Sequence, residues 1–425
     1  MMIQQIYNRY LEKINICTDT RKITEGCIFF ALKGPNFNGN EFAKEAIEKG
    51  ASFAIIDDAL YAIDDRYIIV KDVLTTLQEL ARFHRKELKS KIIGITGSNG
   101  KTTSKELCLQ VLKKKYNTMA TSGNLNNHIG VPLSILSIGT DTEIAIIEMG
   151  ANHINEIEFL CGIAQPDYGV ITNVGKAHLE GFGSLEGVLQ AKTELYRYLA
   201  TKNAPVFVKD NDYVLIDKIP KECPIIRYGE LKDSKYIIKF NGAQPFVMVS
   251  FNETQIQSQL IGDFNFDNIA LSIAIGIEFG IETIDIKEAI ENYVASNNRS
   301  QIIKTNANTI LLDAYNSNPM SLEKAIQNLN NIKHENKVMI LGDMFELGEE
   351  TIIEHKKIIA QCLNSGVSHV YLVGKIFNAV NNTKYTSFEN TIDLIELLNT
   401  QAIKDAFILI KGSRGMKLEK VVDCL

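Results

Sequence analysis

Short apolar, β-branched runs alternate with segments of helical period along almost the whole chain. In residues 1–87 the runs CIFFAL (27–32), AII (54–56) and YIIV (67–70) read as strands, and 40–49 and 73–88 as helices. Between 88 and 296 the runs IIGIT, IAIIEM, DYGVIT and APVFVK are apolar throughout rather than alternating. That pattern predicts parallel strands buried on both faces by helices. Within 223–261, YIIKF, FVMVSF and QIQSQLI alternate instead, which predicts an antiparallel insert; helices are expected at 265–279 and 283–294. From 297 to 425 the strand–helix pattern restarts with TILLDAY, KVMILGD, HVYLVG and AFILIKGS. The expected fold is α/β in three domains: a small N-terminal domain (1–87), a central parallel-sheet domain (88–296) and a C-terminal Rossmann-like domain (297–425).

The punctuation between strand and helix carries the chemistry. GITGSNGKTT (94–103) places a glycine turn between the run at 91–96 and a polar helical segment. Gly97, Ser98, Asn99 and Gly100 can turn their N–H groups into one concavity, with the helix N-terminus adding partial positive charge. Lys101 then neutralises the β- and γ-phosphates of a nucleotide, and Thr102 offers a hydroxyl to Mg²⁺, with Thr103 beside it. The usual longer loop has a glycine where this chain has Ile95, so the loop is a shortened variant, T-G-x-x-G-K-T. The central domain is therefore expected to be an ATP-binding P-loop domain.

Other strand ends point the same way, because ligands of parallel sheets sit at the carboxyl ends of strands. Glu148 ends the run AIIEM and could hold Mg²⁺, or simply be solvated. His178, in ITNVGKAHLEGFGS, is as well suited to general-base or structural work as to a metal that prefers oxygen. Lys192 and Glu194 lie on a helix, where charged residues are ordinarily solvated. In the third domain Asp313, Tyr315, Asn316 and Asn318 form a polar strand-to-helix loop closed by Pro319. KGSRGMKLE (411–419) reads as a glycine turn carrying Lys411 and Arg414 ahead of a helix, a place for a carboxylate or phosphate.

Composition narrows the class without adding to it. The 425 residues carry 45 basic and 51 acidic side chains, a net charge of −6, which gives no general attraction to nucleic acid or anionic membrane. Seven scattered cysteines without a C-x-x-C pair read as reduced thiols. The N-terminal segment lacks the apolar core of a signal peptide, and no run reaches the length of a membrane helix. A cytoplasmic protein without membrane insertion is the expectation, and nothing demands more than a monomer.

Taken together, these motifs resemble the Mur ligases, ATP-dependent amide-bond-forming enzymes of peptidoglycan precursor synthesis. The likeness spans essentially the whole chain: TGSNGKTT, EMG, GKAHLEGFGS and AKTE occur in family order. SGNLNNHIGVP (122–132), DAYNSNP (313–319), LGDMFELG (341–348) and KGSRGMKLE are similar to the D-alanyl-D-alanine-adding branch. TDTR (18–21) and FFALKG (29–34) resemble its uridine-nucleotide domain. The resemblance implies ATP and two Mg²⁺, with Thr102 and Glu148 on one ion, and with His178 and a CO₂-derived carbamate on Lys192 at the other. It implies Asn265 and Asn268 on the adenine side, and Arg299 with Asp313 reaching ATP from the third domain. Lys101, His178, Lys192 and Arg299 would be the catalytic set. A UDP-linked muramoyl tripeptide would be held by Thr18, Asp19, Thr20, Arg21, Lys33, Asn38, Gly39, Asn124, Asn126 and Asn127. D-alanyl-D-alanine would lie against Tyr315, Asn316, Asn318, Lys411 and Arg414. The chain departs from the family's usual histidine at Phe264, and from its frequent Asp-Gly-His at Asn38-Gly39-Asn40. Competing readings are another amino-acid-adding relative, such as a third-residue or folate-polyglutamylating ligase, and a P-loop switch NTPase of a different class.

Overall fold

The structure, a computed structural model, describes residues 2–13, 15–367 and 369–425. Three separate α/β sheets follow one another along the chain. The first has four parallel strands in the order Ile16–Cys17, Ile28–Phe30, Phe53–Ile56 and Tyr67–Ile69. Its helix Val73–Glu87 starts at Asp72, whose carboxylate accepts from the Thr75 N–H at 2.7 Å, one of the donors a helix start leaves unpaired. That helix buries Val73, Leu77, Leu80 and Ala81 in a core continuous with the central domain.

The central sheet has seven strands, all parallel: Tyr236–Ile237, Ile225–Gly229, Val206–Lys209, Tyr168–Ile171, Lys91–Thr96, Ile144–Glu148 and Thr118–Ala120 in spatial order. Helices Lys101–Leu112 and Asn265–Glu278 pack one face, and Glu156–Ala164 and Glu194–Ala200 the other. This two-sided burial explains the unbroken apolar runs. The antiparallel insert is shorter than the sequence pattern predicts. YIIKF divides, Tyr236–Ile237 joining the parallel sheet while Lys239–Ala243 pairs with Phe246–Phe251 and Thr254–Ile261 follows. Ile238, fully buried between the two halves, lets one alternating run serve both sheets.

The third sheet has six strands ordered Gln301–Lys304, Asn308–Asp313, Ala406–Lys411, Lys337–Gly342, His369–Val373 and Thr386–Phe388. All pairings are parallel except that of the first, edge strand. After Lys411 the chain does not form the expected α-helix. It continues in 3-10 turns, Arg414–Met416 and Leu418–Cys424, separated by Lys417 at φ 55. The seven cysteines are unpaired. No helix among the described residues is long and apolar enough to cross a membrane.

Candidate active site

The carboxyl ends of the central and third sheets face one another across a cavity of about 730 Å³. Its floor is the phosphate loop. Gly97 (φ 141) and Gly100 (φ 80) take left-handed-side conformations open to glycine, and a Cβ on Gly97 would lie 2.0 Å from Thr172 Oγ1. The Ser98 N–H donates to the Asn173 carbonyl at 3.0 Å, the Asn99 N–H to Asn173 Oδ1 at 3.0 Å, and Thr172 Oγ1 to the Asn99 carbonyl at 2.6 Å. The adjacent strand end thus fixes the first half of the loop. Lys101 to Thr103 begin the helix, where N–H groups lack intrahelical acceptors and face the cavity. Ile95, at the position of the absent glycine, is fully buried within the preceding strand.

Lys101 Nζ donates to the Gly97 and Ser98 carbonyls at 2.5 and 3.1 Å. Burial pushes its pKa down to about 8, Glu148 working against this and Arg299 with it. Glu148, 1% exposed, accepts from Thr102 Oγ1 at 2.9 Å and from Asn126 Nδ2 at 2.8 Å, and Lys105 Nζ lies 4.0 Å away. Lys105 is as buried as the glutamate and donates to the Thr121 carbonyl at 2.6 Å; sequence reasoning missed it. Its signal was available, since Lys105 falls one helical turn after Lys101 on the same face.

Asn265 and Asn268 are buried beneath the loop. Asn268 Nδ2 donates to Asn265 Oδ1 at 2.8 Å, and Asn268 Oδ1 accepts from Ser104 Oγ at 2.9 Å. Both residues line the cavity, next to Phe264. Lys192 is not a solvated helix residue. It is 2% exposed, its Nζ donates to the Ala151 carbonyl at 3.4 Å and lies 5.3 Å from the centre of the Phe182 ring, and burial with the nearby Lys101 charge pushes its pKa down to about 7. Glu194 is buried as well and accepts from the Asn155 and Glu158 N–H groups, which makes it an anchor of the neighbouring helix start. His178 sits at φ 52 on the cavity rim, its Nδ1 against the Glu346 carboxylate of the third domain.

From the third domain, Asn297, Asn298 and Ser300 all have positive φ (59, 57 and 49), a sharp turn that aims Arg299 into the cavity. The guanidinium carbon lies 3.6 Å from the centre of the Tyr315 ring, a cation–π seat. Asp313 holds the same turn through the Ser300 N–H at 3.1 Å, and its other oxygen pairs with Lys411 at 2.5 Å. Asn318 caps the helix Pro319–Asn331 and donates to Asn99 Oδ1 at 2.8 Å across the domain gap. Tyr315 and Asn316 line the same wall.

Several expected positions fall elsewhere. Lys411 does line the cavity, as the buried last residue of its strand rather than in a turn, whereas Arg414 is exposed and not part of that lining. Arg414, in the 3-10 turn after Gly412, lies 3.9 Å from Glu419 and holds its guanidinium carbon 5.5 Å from the centre of the Tyr315 ring. Thr18, Asp19, Thr20, Arg21, Lys33, Asn38 and Gly39 lie on the first domain, away from this cavity. There Asp19 pairs with Arg21, and Lys33 with Asp57 at 2.8 Å. Asn38 accepts from Asn40, which is fully buried and itself bonds Asp57. A Cβ on Gly39 would meet the Leu32 carbonyl at 2.2 Å, so that glycine serves a close backbone approach. Asn124, Asn126 and Asn127 do line the cavity, but Asn126 is committed to Glu148, and Asn127 Oδ1 accepts from the Ile129 and Gly130 N–H groups just ahead of the helix Gly130–Leu136.

A phosphate loop with a buried carboxylate on one domain, faced by an arginine and a polar helix start on another, defines an ATP-dependent ligase site that lies between two domains. Family models match nearly the whole chain: the Mur ligase family catalytic domain at residues 14–85, the Mur ligase middle domain at 95–276, and the Mur ligase glutamate ligase domain at 298–414. The chain belongs to the Mur ligase family. It is similar to the UDP-N-acetylmuramoyl-tripeptide–D-alanyl-D-alanine ligases of Bacillus subtilis (34% identical, covering 96% of this chain and 92% of that protein) and Escherichia coli (32%, covering 96% and 93%). Among solved structures it is similar to the MurF ligase of Thermotoga maritima in complex with ADP, at 27% identity and a TM-score of 0.85, covering 97% of each chain.

Proposed function

We propose that this chain is an ATP-dependent ligase joining D-alanyl-D-alanine to UDP-N-acetylmuramoyl-tripeptide, giving the UDP-linked pentapeptide, ADP and phosphate. The observation that carries the reading is the single cavity in which the phosphate loop faces Arg299, Asp313 and the Asn316–Asn318 loop. The tripeptide carboxylate attacks the γ-phosphorus and ADP leaves. The dipeptide amine then attacks the acyl phosphate carbonyl, and phosphate leaves as the amide bond forms. Lys101 and the helix N-terminus neutralise the phosphates, Arg299 approaches from the third domain, and the closed cavity keeps water from the acyl phosphate.

Thr102 Oγ1 and Glu148 fit one Mg²⁺, being buried, adjacent oxygen donors. His178 would present Nε2 to a second ion, its Nδ1 being turned to Glu346. Lys192 as an ammonium does not fit a cation site. Its depressed pKa leaves a free amine that can attack CO₂ and lose a proton, and the resulting carbamate would offer hard oxygen donors of the kind Mg²⁺ takes. Mg²⁺ held by these residues would neutralise phosphate charge during the transfer. The first domain would hold the uridine nucleotide, and the chain would act as a cytoplasmic monomer in wall synthesis, and through it in cell shape and division.

The test is acceptor dependence. ADP release is expected to require both the UDP-tripeptide and D-alanyl-D-alanine, with the pentapeptide product seen by mass spectrometry and all of it lost in Lys101→Ala. ADP formation indifferent to both acceptors would favour a switch NTPase. Ligation of a single amino acid in place of the dipeptide would point to a third-residue ligase.

A further inference from the structure

The motif LGDMFELG is not consumed by the reaction described above, and neither is Lys176 of GKAHLEG. The two segments meet. Asp343 accepts from the Ile376 and Phe377 N–H groups at 2.9 and 2.8 Å at the start of the helix Lys375–Val380. Buried His355 accepts the Met344 N–H at 3.0 Å, so the loop that follows is pinned from two sides. It turns through Glu346 (φ 64) and Gly348 (φ 55) and projects Phe345 and Glu346 into the cavity wall. Across the gap the Glu180 N–H donates to the Glu346 carbonyl at 3.3 Å, and the Glu346 carboxylate lies against His178. Beside these contacts Lys176 Nζ bridges Glu350 at 2.6 Å and Glu354 at 3.1 Å. Glu354 is only 6% exposed.

We infer that Lys176, with Glu350 and Glu354, is a clasp that docks the third domain onto the His178 loop and thereby sets His178 for the reaction. Lys176 is a positioning residue: it touches no site for substrate, but it is two residues from His178 and grips the segment that carries Glu346. Because Glu346 arrives with the third domain, His178 is oriented only when that domain is docked. While that domain stays docked, the acyl phosphate is held for the dipeptide amine rather than lost to water. An isolated surface ion pair contributes little. Here one lysine is shared by two carboxylates, and the reverse charge would place three carboxylates together, which opposes docking strongly.

The inference rests on the proposed ligase function, so the experiment reads shape as well as activity. Wild type, Lys176→Glu, Lys176→Met and the swap Lys176→Glu/Glu350→Lys are compared, all as the full chain. Glu354 keeps Lys357 at 2.8 Å as a second partner, so the swap leaves it compensated. Lys176→Glu is expected to raise the KM for D-alanyl-D-alanine about tenfold and to increase ADP formed per amide bond. KM for ATP stays near wild type. In small-angle scattering with ADP this variant should be more extended than wild type, and Lys176→Met intermediate. The swap should restore both compactness and coupling, which a merely misfolded variant cannot do. Wild-type KM, coupling and compactness in Lys176→Glu would overturn the clasp, and so would a swap no better than the single variant. A wild type that is compact and clasp-dependent but forms no amide bond would instead overturn the ligase reading alone.

Discussion

Lys192 shows how far one residue can depart from its sequence context. On a helix among polar neighbours it reads as surface, yet it is 2% exposed and bonded to one carbonyl at 3.4 Å. In the folded chain its pKa falls from 10.5 to about 7, so between those values the unfolded state binds the extra proton. Stability therefore rises with pH across that window, and the penalty of burial is fully present below about 7. Lys192→Met, an apolar replacement of similar length, should abolish ligation while stabilising the protein at pH 7 on the order of 3 kcal/mol. In CO₂-depleted buffer the melting-temperature advantage should be large at pH 7 and small at pH 10.5. A variant less stable than wild type at pH 7 would contradict this account of the site. Lys101, Thr102 and Glu148 were legible because strand, glycine turn and helix fix their direction locally. Lys192, Lys105 and Glu194 were not, because burial is decided by which helices pack over them.

At the scale of elements, the phosphate loop is specified by backbone conformation more than by side chains. Gly97→Ala would force φ 141 on an L-residue and drive a methyl into Thr172 Oγ1. The expected cost is about 2–4 kcal/mol with loss of ATP binding, readable as a lower denaturant midpoint and an absent thermal shift on adding nucleotide. The helix Pro319–Asn331 is the counterpart in the third domain. Asn318 both caps it, with Ser321 completing a capping box, and reaches Asn99. Asn318→Ala should cost about 1 kcal/mol from the cap alone, and should slow ligation more than that stability loss explains. The long strands of the parallel sheets were visible as unbroken apolar runs. Short edge strands such as Thr118–Ala120 and Thr386–Phe388 were not, since a three-residue run has no period to read. The C-terminal turns eluded the pattern for a related reason: 3-10 and α segments share apolar spacing over a single turn.

At the scale of the molecule, the two interdomain joints differ in kind, and the difference predicts their behaviour. Third and central domains meet around the cavity mainly through polar and ionic contacts, with Phe246 and Ile261 of the antiparallel insert packed against the third domain's core beside them. First and central domains share a continuous apolar core, in which Tyr10 donates to the Leu136 carbonyl at 2.5 Å. Arg85 locks that joint from the helix Val73–Glu87. It is 8% exposed and donates to the Ala164 and Gln165 carbonyls at 3.0 and 3.1 Å and to Asp167 at 2.9 Å. Removing it takes the donor from the buried Ala164 carbonyl, while Gln165 keeps Lys202 and Asp167 keeps the Ile92 N–H, a cost of roughly 1–3 kcal/mol. In Arg85→Ala the phosphate loop, anchored within its own domain by Thr172 and Asn173, is undisturbed. The first domain loses its fixed orientation toward the cavity. The KM for the UDP-tripeptide should therefore rise severalfold while the KM for ATP holds, and hydrogen exchange should quicken in 73–87 but not in 101–112. An equal rise in both constants would mean that the first domain supports the nucleotide site directly, which the separation of the two in this structure does not provide for.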